Sequence, residues 1–290
     1  MHSLRRVTVA LLTYVFWVSL FSQSALAAHP VPTELQAMQI LYGRAYKQRG
    51  SVVKTVDKLG MRVNKEPGYN HTILEYVTPW KIATVTLNGK TYFIATGQGH
   101  AVSDPNNPED AAHVQSAYIS AIWFTLERGR WVPAGKQLNL AADGSFGQVN
   151  GKPWSSFPQM APLENMVLLA ADEGGYMNQG YSSSWYPVYA FDGSGFRYLG
   201  AVSSGGSNGG AGAEPEIAFS GTIIAANKAS NGQLQLTLSY SGTTVLAGKP
   251  VKLDKVRCNF LYRADPKRPG EGSFEPATEQ CRAIVQSASF

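Results

Sequence analysis

Residues 82–87 and 91–95 are two short runs of β-branched and aromatic side chains, and Asn88-Gly89 stands between them. Asparagine followed by glycine accepts the left-handed backbone that both central positions of a type I′ turn require. The twist of that turn matches two antiparallel strands, so the spacing predicts a hairpin. The same grammar recurs along the chain. Arg128-Gly129 turns an apolar run at 117–126 back through Trp131. Asp192-Gly193-Ser194-Gly195 joins 185–191 to 196–199, and Asn231-Gly232 joins 217–226 to 234–240. Residues 73–77, 166–170 and 256–262 add further short runs. Many short strands with glycine turns predict a mainly β fold: an antiparallel sandwich, a barrel or a small propeller-like arrangement. Trp185, Tyr189 and Phe191 share strand parity and are expected to face the core together. Residues 122–131 faintly echo 188–196. Aromatic hairpins share this look by construction, and that explains the echo better than a duplicated blade does.

One helix is expected. Thr33 suits an N-cap, and Leu35, Met38, Leu41, Tyr42 and Ala45 recur at helical spacing before Gly50. Residues 52–59 read as a second helical or irregular piece. The expected organisation is a leader at 1–27, an N-terminal helical segment at 28–60, and a single β-rich domain at 61–290 with a C-terminal disulfide loop.

The leader reading rests on three parts in order. Arg5 and Arg6 are a positive start, residues 7–21 are almost continuously apolar, and Ala25-Leu26-Ala27 supplies the small-x-small pattern that signal peptidase accepts. The apolar run is shorter than the roughly 20 residues a spanning helix needs. No later run is apolar enough to span, so the expectation is an exported, soluble protein, periplasmic or secreted, with no integral membrane span after cleavage. The leader also bears on charge. The chain has 25 basic and 20 acidic residues; removing Arg5 and Arg6 leaves 23 against 20, a net of +3. No run of Lys and Arg interleaved with aromatics survives, which argues against nucleic acid as a partner. Cys258 and Cys281 are the only cysteines. An even pair in an exported chain predicts one disulfide. The Pro-, Gly- and charge-rich segment between them, 259–280, reads as a loop that packs poorly alone.

Four constellations could carry chemistry. Gly205-Gly206-Ser207-Asn208-Gly209 matches G-x-S-x-G, but a nucleophile elbow needs a helix after it, and Glu214-Pro215 follows instead. The histidines after the leader, at positions 29, 71, 100 and 113, all precede Ser207, against the hydrolase order. The motif is therefore expected to be a flexible Gly/Ser surface loop. His100, Asp104, Asp110 and His113 place metal-donor types close in sequence, with His71 as a further ligand, although no spacing is diagnostic and the EF-hand register fails at Pro108. The acids Asp172-Glu173 and Glu214/Glu216 read as turn residues. Tyr176 and Tyr181, beside Gly180 and Ser182-Ser183-Ser184, suit a recognition surface.

The function expected from these features is a non-enzymatic binding or interaction protein of the bacterial envelope, engaging another protein or an envelope glycan. No organic cofactor is expected. A secreted metal-assisted hydrolase using His100 and His113 is one alternative, and an envelope structural protein without a ligand is another.

Overall fold

The computed structural model describes residues 30–48, 50–56, 72–112, 115–144, 148–149, 152–157, 159–163, 165–171, 174–266 and 272–288. The leader at 1–27, His71, His113 and the acids Asp172-Glu173 lie outside them. Residues 31–290 form one compact unit. Among the described residues it is mainly antiparallel β, with two sheets and two α-helices.

Helix α1 (Glu34–Tyr42) starts at the expected cap. Thr33 and Gln36 form a reciprocal capping box that satisfies amides at the helix start. At the other end Lys136 Nζ donates to the carbonyls of Ile40 at 2.8 Å and Leu41 at 3.0 Å, where the helix dipole favours a cation. The 52–59 expectation fails for its described part. Ser51–Val56 is strand β1, because β-branched Val52, Val53, Thr55 and Val56 disfavour a helix and its partner strand lies at hand.

The six-stranded sheet runs in the order β1, β2 (Thr72–Leu87), β3 (Lys90–Ala101), β4 (Ala117–Glu127) and β5 (Arg130–Asp143). Short β6 (Ser155–Ser156) lies parallel to β2. Asn88 at φ 51° and Gly89 at φ 73° make the expected I′ hairpin, and Arg128-Gly129 makes a second. The central strands β3 and β4 are buried on both faces, which explains their near-continuous apolar runs instead of alternation. Phe93, Ala95, Ile122 and Phe124 pack under Met38, Leu41 and Tyr42 of α1, while Ile94, Ile119 and Trp123 face the other sheet. Asn139, fully buried, ties the two edges: its Nδ2 donates to the Val56 carbonyl at 3.1 Å and its Oδ1 accepts from Ser120 Oγ at 3.2 Å.

The nine-stranded sheet contains β7 (Gln159–Leu163), β8 (Met166–Ala170), β9 (Gly174–Asn178), β10 (Tyr181–Phe191), β11 (Phe196–Ser207), β12 (Ala218–Lys228), β13 (Leu234–Leu246), β14 (Lys249–Ala264) and β15 (Gly272–Pro276). It coils into a half-barrel. β15 returns so close to β11 that a Cβ on Gly200 would collide with the Gly272 carbonyl. Trp123, Tyr92 and Phe191 meet edge-on between the two sheets, with Trp123–Phe191 centroids 5.8 Å apart. The two aromatic hairpins that echo each other in sequence are therefore one from each sheet, packed face to face.

The half-barrel core holds Val202, Leu238, Tyr240, Phe260 and Phe274, with Cys281 and Ile284 from helix α2 (Glu279–Gln286). Cys258 and Cys281 form the expected disulfide, with Cα atoms 5.5 Å apart. The expected loose loop is corrected, however. The crosslink spans a β14–β15 hairpin and reaches the first turn of α2, where Thr278 Oγ1 caps the Cys281 amide. Among the described residues no helix is long and apolar enough to cross a membrane.

Candidate functional site

The Ser-rich start of β10, the end of β11, the start of β12 and the middle of β13 lie side by side. Ser184, Gly205, Ser220 and Ser241 form one row across these four strands, each in register with the next. Ser182, Ser207, Ala218 and Thr243 form the row two residues further on. Neighbouring strands are about 4.8 Å apart, and same-face residues on one strand about 6.7 Å. The rows thus present hydroxyls on a tight lattice. Ser182, Ser184, Ser207, Ala218, Ser220 and Ser241 of these rows line a groove of about 550 Å³ together with Gly206, Phe219 and Gly242.

Two glycines shape it. A Cβ on Gly205 would meet the Phe219 carbonyl, and Gly242, at φ +124°, would put one into the Ala218 carbonyl. Larger residues at either place would push the strands apart. The hydroxyls are partly anchored. Ser207 Oγ accepts from the Gly209 amide at 3.1 Å, Ser241 Oγ accepts from the Lys255 amide at 3.3 Å, and Ser182 Oγ donates to the Ser207 carbonyl at 3.5 Å. A serine hydroxyl keeps acceptor capacity after one such bond, and it rotates to suit a partner. None of the residues lining the groove carries an ionisable side chain.

The structure corrects the flexible-loop expectation for residues 203–207. They are the last part of strand β11, and only Gly209–Ala211 turns as a short 3₁₀ helix. Asn208 then secures the return: its Oδ1 accepts from the Ile217 amide at 2.7 Å and its Nδ2 donates to the Pro215 carbonyl at 3.0 Å.

Of the histidine region, His100, Asp104 and Asp110 fall among the described residues. His100 is buried at the end of β3, its Nε2 3.1 Å from the Pro108 carbonyl and its ring 5.6 Å from that of Tyr76. Asp104 accepts from the Asn106 amide and the Asn107 side chain. These bonds shape its own turn and hold its carboxyl below the usual range. The Asp110 amide donates to the Asn107 carbonyl. His113 lies outside the described residues. Among the described residues, no three of His, Cys, Asp and Glu converge on a point that could hold a metal ion.

Tyr176 and Tyr181 fall on the β9–β10 hairpin at one end of the groove. Tyr176 is in register with Ser183 and Tyr181 with Asn178, and Tyr181 is not among the residues that line the groove. Met177, in register with Ser182, is 73% exposed beside it.

On β10, one residue past Ser184, Trp185 reaches the other sheet. Its Nε1 donates at 3.0 Å to Oδ1 of Asp143, the last residue of β5, which also accepts from the Gly144 amide at 2.7 Å. Trp185 is half-buried at the margin of the inter-sheet core, while Tyr189 and Phe191 are fully buried within it, as their shared parity requires. Burial pushes the Asp143 carboxyl up, against the pull of the Trp185 and Gly144 bonds. Burial, then Asp143, pushes the Tyr189 phenol well above its ordinary value.

Sequence reasoning noticed Ser182 and Ser184 as neighbours of aromatics but missed Ser220, Ser241 and Gly242. Serine at alternate positions of a strand, as in 182/184 and 239/241, was the available signal. No family model matches the chain, and no curated protein matches it. Among solved structures, MPT-4, a mannose phosphorylase from Leishmania mexicana in complex with phosphate ion, aligns over 68% of this chain and 67% of its own, at 11% identity and a TM-score of 0.21. A likeness at that level carries no argument about fold or activity.

Proposed function

We propose that this chain is an exported, non-enzymatic binding protein of the bacterial envelope, and that the serine groove of the half-barrel seats an uncharged glycan. The observation that carries the reading is the lining: serine hydroxyls in two strand-spaced rows, low glycines, and no ionisable side chain. Hydroxyls both donate and accept, so they match the hydroxyls of a neutral sugar chain. The sheet's own amides and carbonyls are spent in the ladder here, so a peptide could not add as a strand. Export is supported by the leader-like N-terminus and by the disulfide, a bond that persists in oxidising compartments.

Calorimetric titration with cellohexaose, maltohexaose and chitohexaose tests the ligand class. At least one is expected to bind. Ser220→Trp fills the groove from an exposed position, so it should weaken that binding by about tenfold or more while leaving the unfolding temperature unchanged. No binding by any of the three, or binding untouched by the substitution, refutes the glycan reading. N-terminal sequencing of protein recovered outside the cytoplasm tests export: a start near Ala28 is expected, and an intact Met1 refutes it.

A further inference from the structure

We infer that Asp143 is a pH-responsive joint between the two sheets, and that protonation of its buried carboxyl stabilises the folded chain where the end of β5 meets the groove-bearing part of β10. This goes beyond the glycan reading and stands without it.

Asp143 is 7% exposed and closes β5 opposite Ala117 of β4. Its Oδ1 holds two donors, the Gly144 amide and the Trp185 indole, and the second crosses to the other sheet. Its Oδ2 is buried with no hydrogen-bond partner among the described residues. The groups that face the joint from β10 are Trp185 and Tyr189, with Tyr198 of β11 beyond Tyr189. Two of these are phenols and one is an indole. No Lys or Arg among the described residues forms an ion pair with Asp143. A carboxylate withdrawn from water without a cation is unfavourable, whereas the protonated acid is neutral and gains a donor. The Tyr189 hydroxyl, pushed up by burial and then by the Asp143 charge, is also buried without a partner among the described residues.

The direction follows from linkage. Burial makes the folded carboxyl keep its proton to higher pH than the unfolded chain does. Between the ordinary aspartate value and the raised folded one, the folded state binds more protons. Stability from this residue is therefore full below that window and is lost as pH rises through it. Trp185 is one residue from Ser184, so this joint adjoins one wall of the groove.

Asp143→Asn mimics the protonated acid and keeps an oxygen for Trp185. Urea unfolding of both proteins from about pH 3.5 to about pH 8 is the test. The two stability curves should meet at the acid end and separate as pH rises, with Asp143→Asn the more stable at neutral pH. Trp185→Phe removes a donor to the ionised form and should make the fall with pH steeper than in the native chain. Carboxyl carbon NMR of the native protein supplies an independent reading, with the Asp143 midpoint expected above the ordinary aspartate value. A constant gap between the native and Asp143→Asn curves, a native chain that gains on the variant as pH rises, or an ordinary Asp143 midpoint overturns the inference.

Discussion

Removing the disulfide tests how the C-terminal part of the half-barrel is held. The perturbation is the double substitution Cys258→Ala with Cys281→Ala. The crosslink spans a sequence separation of 23 residues. In the chain-entropy model a closed loop of that size restrains the unfolded chain by about 3 kcal/mol. For a domain of this size each kcal/mol moves the midpoint by roughly 2–4 °C, so a drop of roughly 6–12 °C is expected. The native side of the comparison changes little. β15 remains paired to β14, and α2 keeps Ile284 in the core and its Thr278 cap. The mechanism therefore predicts a lower midpoint with near-native far-ultraviolet circular dichroism below the transition. Equilibrium urea unfolding of oxidised native protein and the double variant measures it. A loss under about 1 kcal/mol would refute the entropic argument, since the loop length leaves no room for so small a term. A variant that loses helix signal well below its transition would refute the claim that α2 docks by its own packing.

Two further substitutions probe the polar interior. Asn139→Ala strips the buried tie between the sheet edges: the Val56 carbonyl loses the Nδ2 donor and the Ser120 hydroxyl loses its Oδ1 acceptor while still accepting from the backbone amide, so a loss of about 2–3 kcal/mol is expected in urea unfolding; a loss below about 0.5 kcal/mol would contradict it. Tyr189→Phe removes a buried hydroxyl with no partner among the described residues, so stability should hold or rise by up to about 1 kcal/mol at neutral pH. A clear loss there would show that the hydroxyl has a partner in solution.

Much of this fold is written in local turn chemistry. Asn88-Gly89 and Arg128-Gly129 announced their hairpins, and Asp192–Gly195 turns β10 into β11 by a cluster of bonds onto the Asp192 carboxylate. Two other hairpins were silent. Gln179-Gly180 and Ala247-Gly248 adopt the same pair of positive φ angles, but glutamine and alanine lack the left-handed preference that marks asparagine. Helix α2 was legible in hindsight: Cys281, Ile284, Val285 and Ala288 recur at helical spacing, hidden behind a Pro- and Gly-rich approach. The Gly/Ser run at 203–207 looked like a linker because composition reports chain freedom, not strand pairing. In place, Gly205 and Gly206 are small because neighbouring backbone and Ala288 come close. The groove was beyond sequence for a different reason. Ser184, Gly205, Ser220 and Ser241 meet only through the register of three strand pairs, and a shift of one residue would turn each to the other face. The Asp143–Trp185 contact joins two sheets, so neither local pattern contained it.

Amide NMR of the labelled protein, titrated with whichever neutral hexaose binds, locates the glycan on the molecule. The largest shift changes are expected to cluster at Ser182, Ser184, Gly206, Ser207, Ser220 and Ser241, which line the groove. Changes centred elsewhere, for example on the His100 end of β3 or on α1, would contradict a glycan site in the groove.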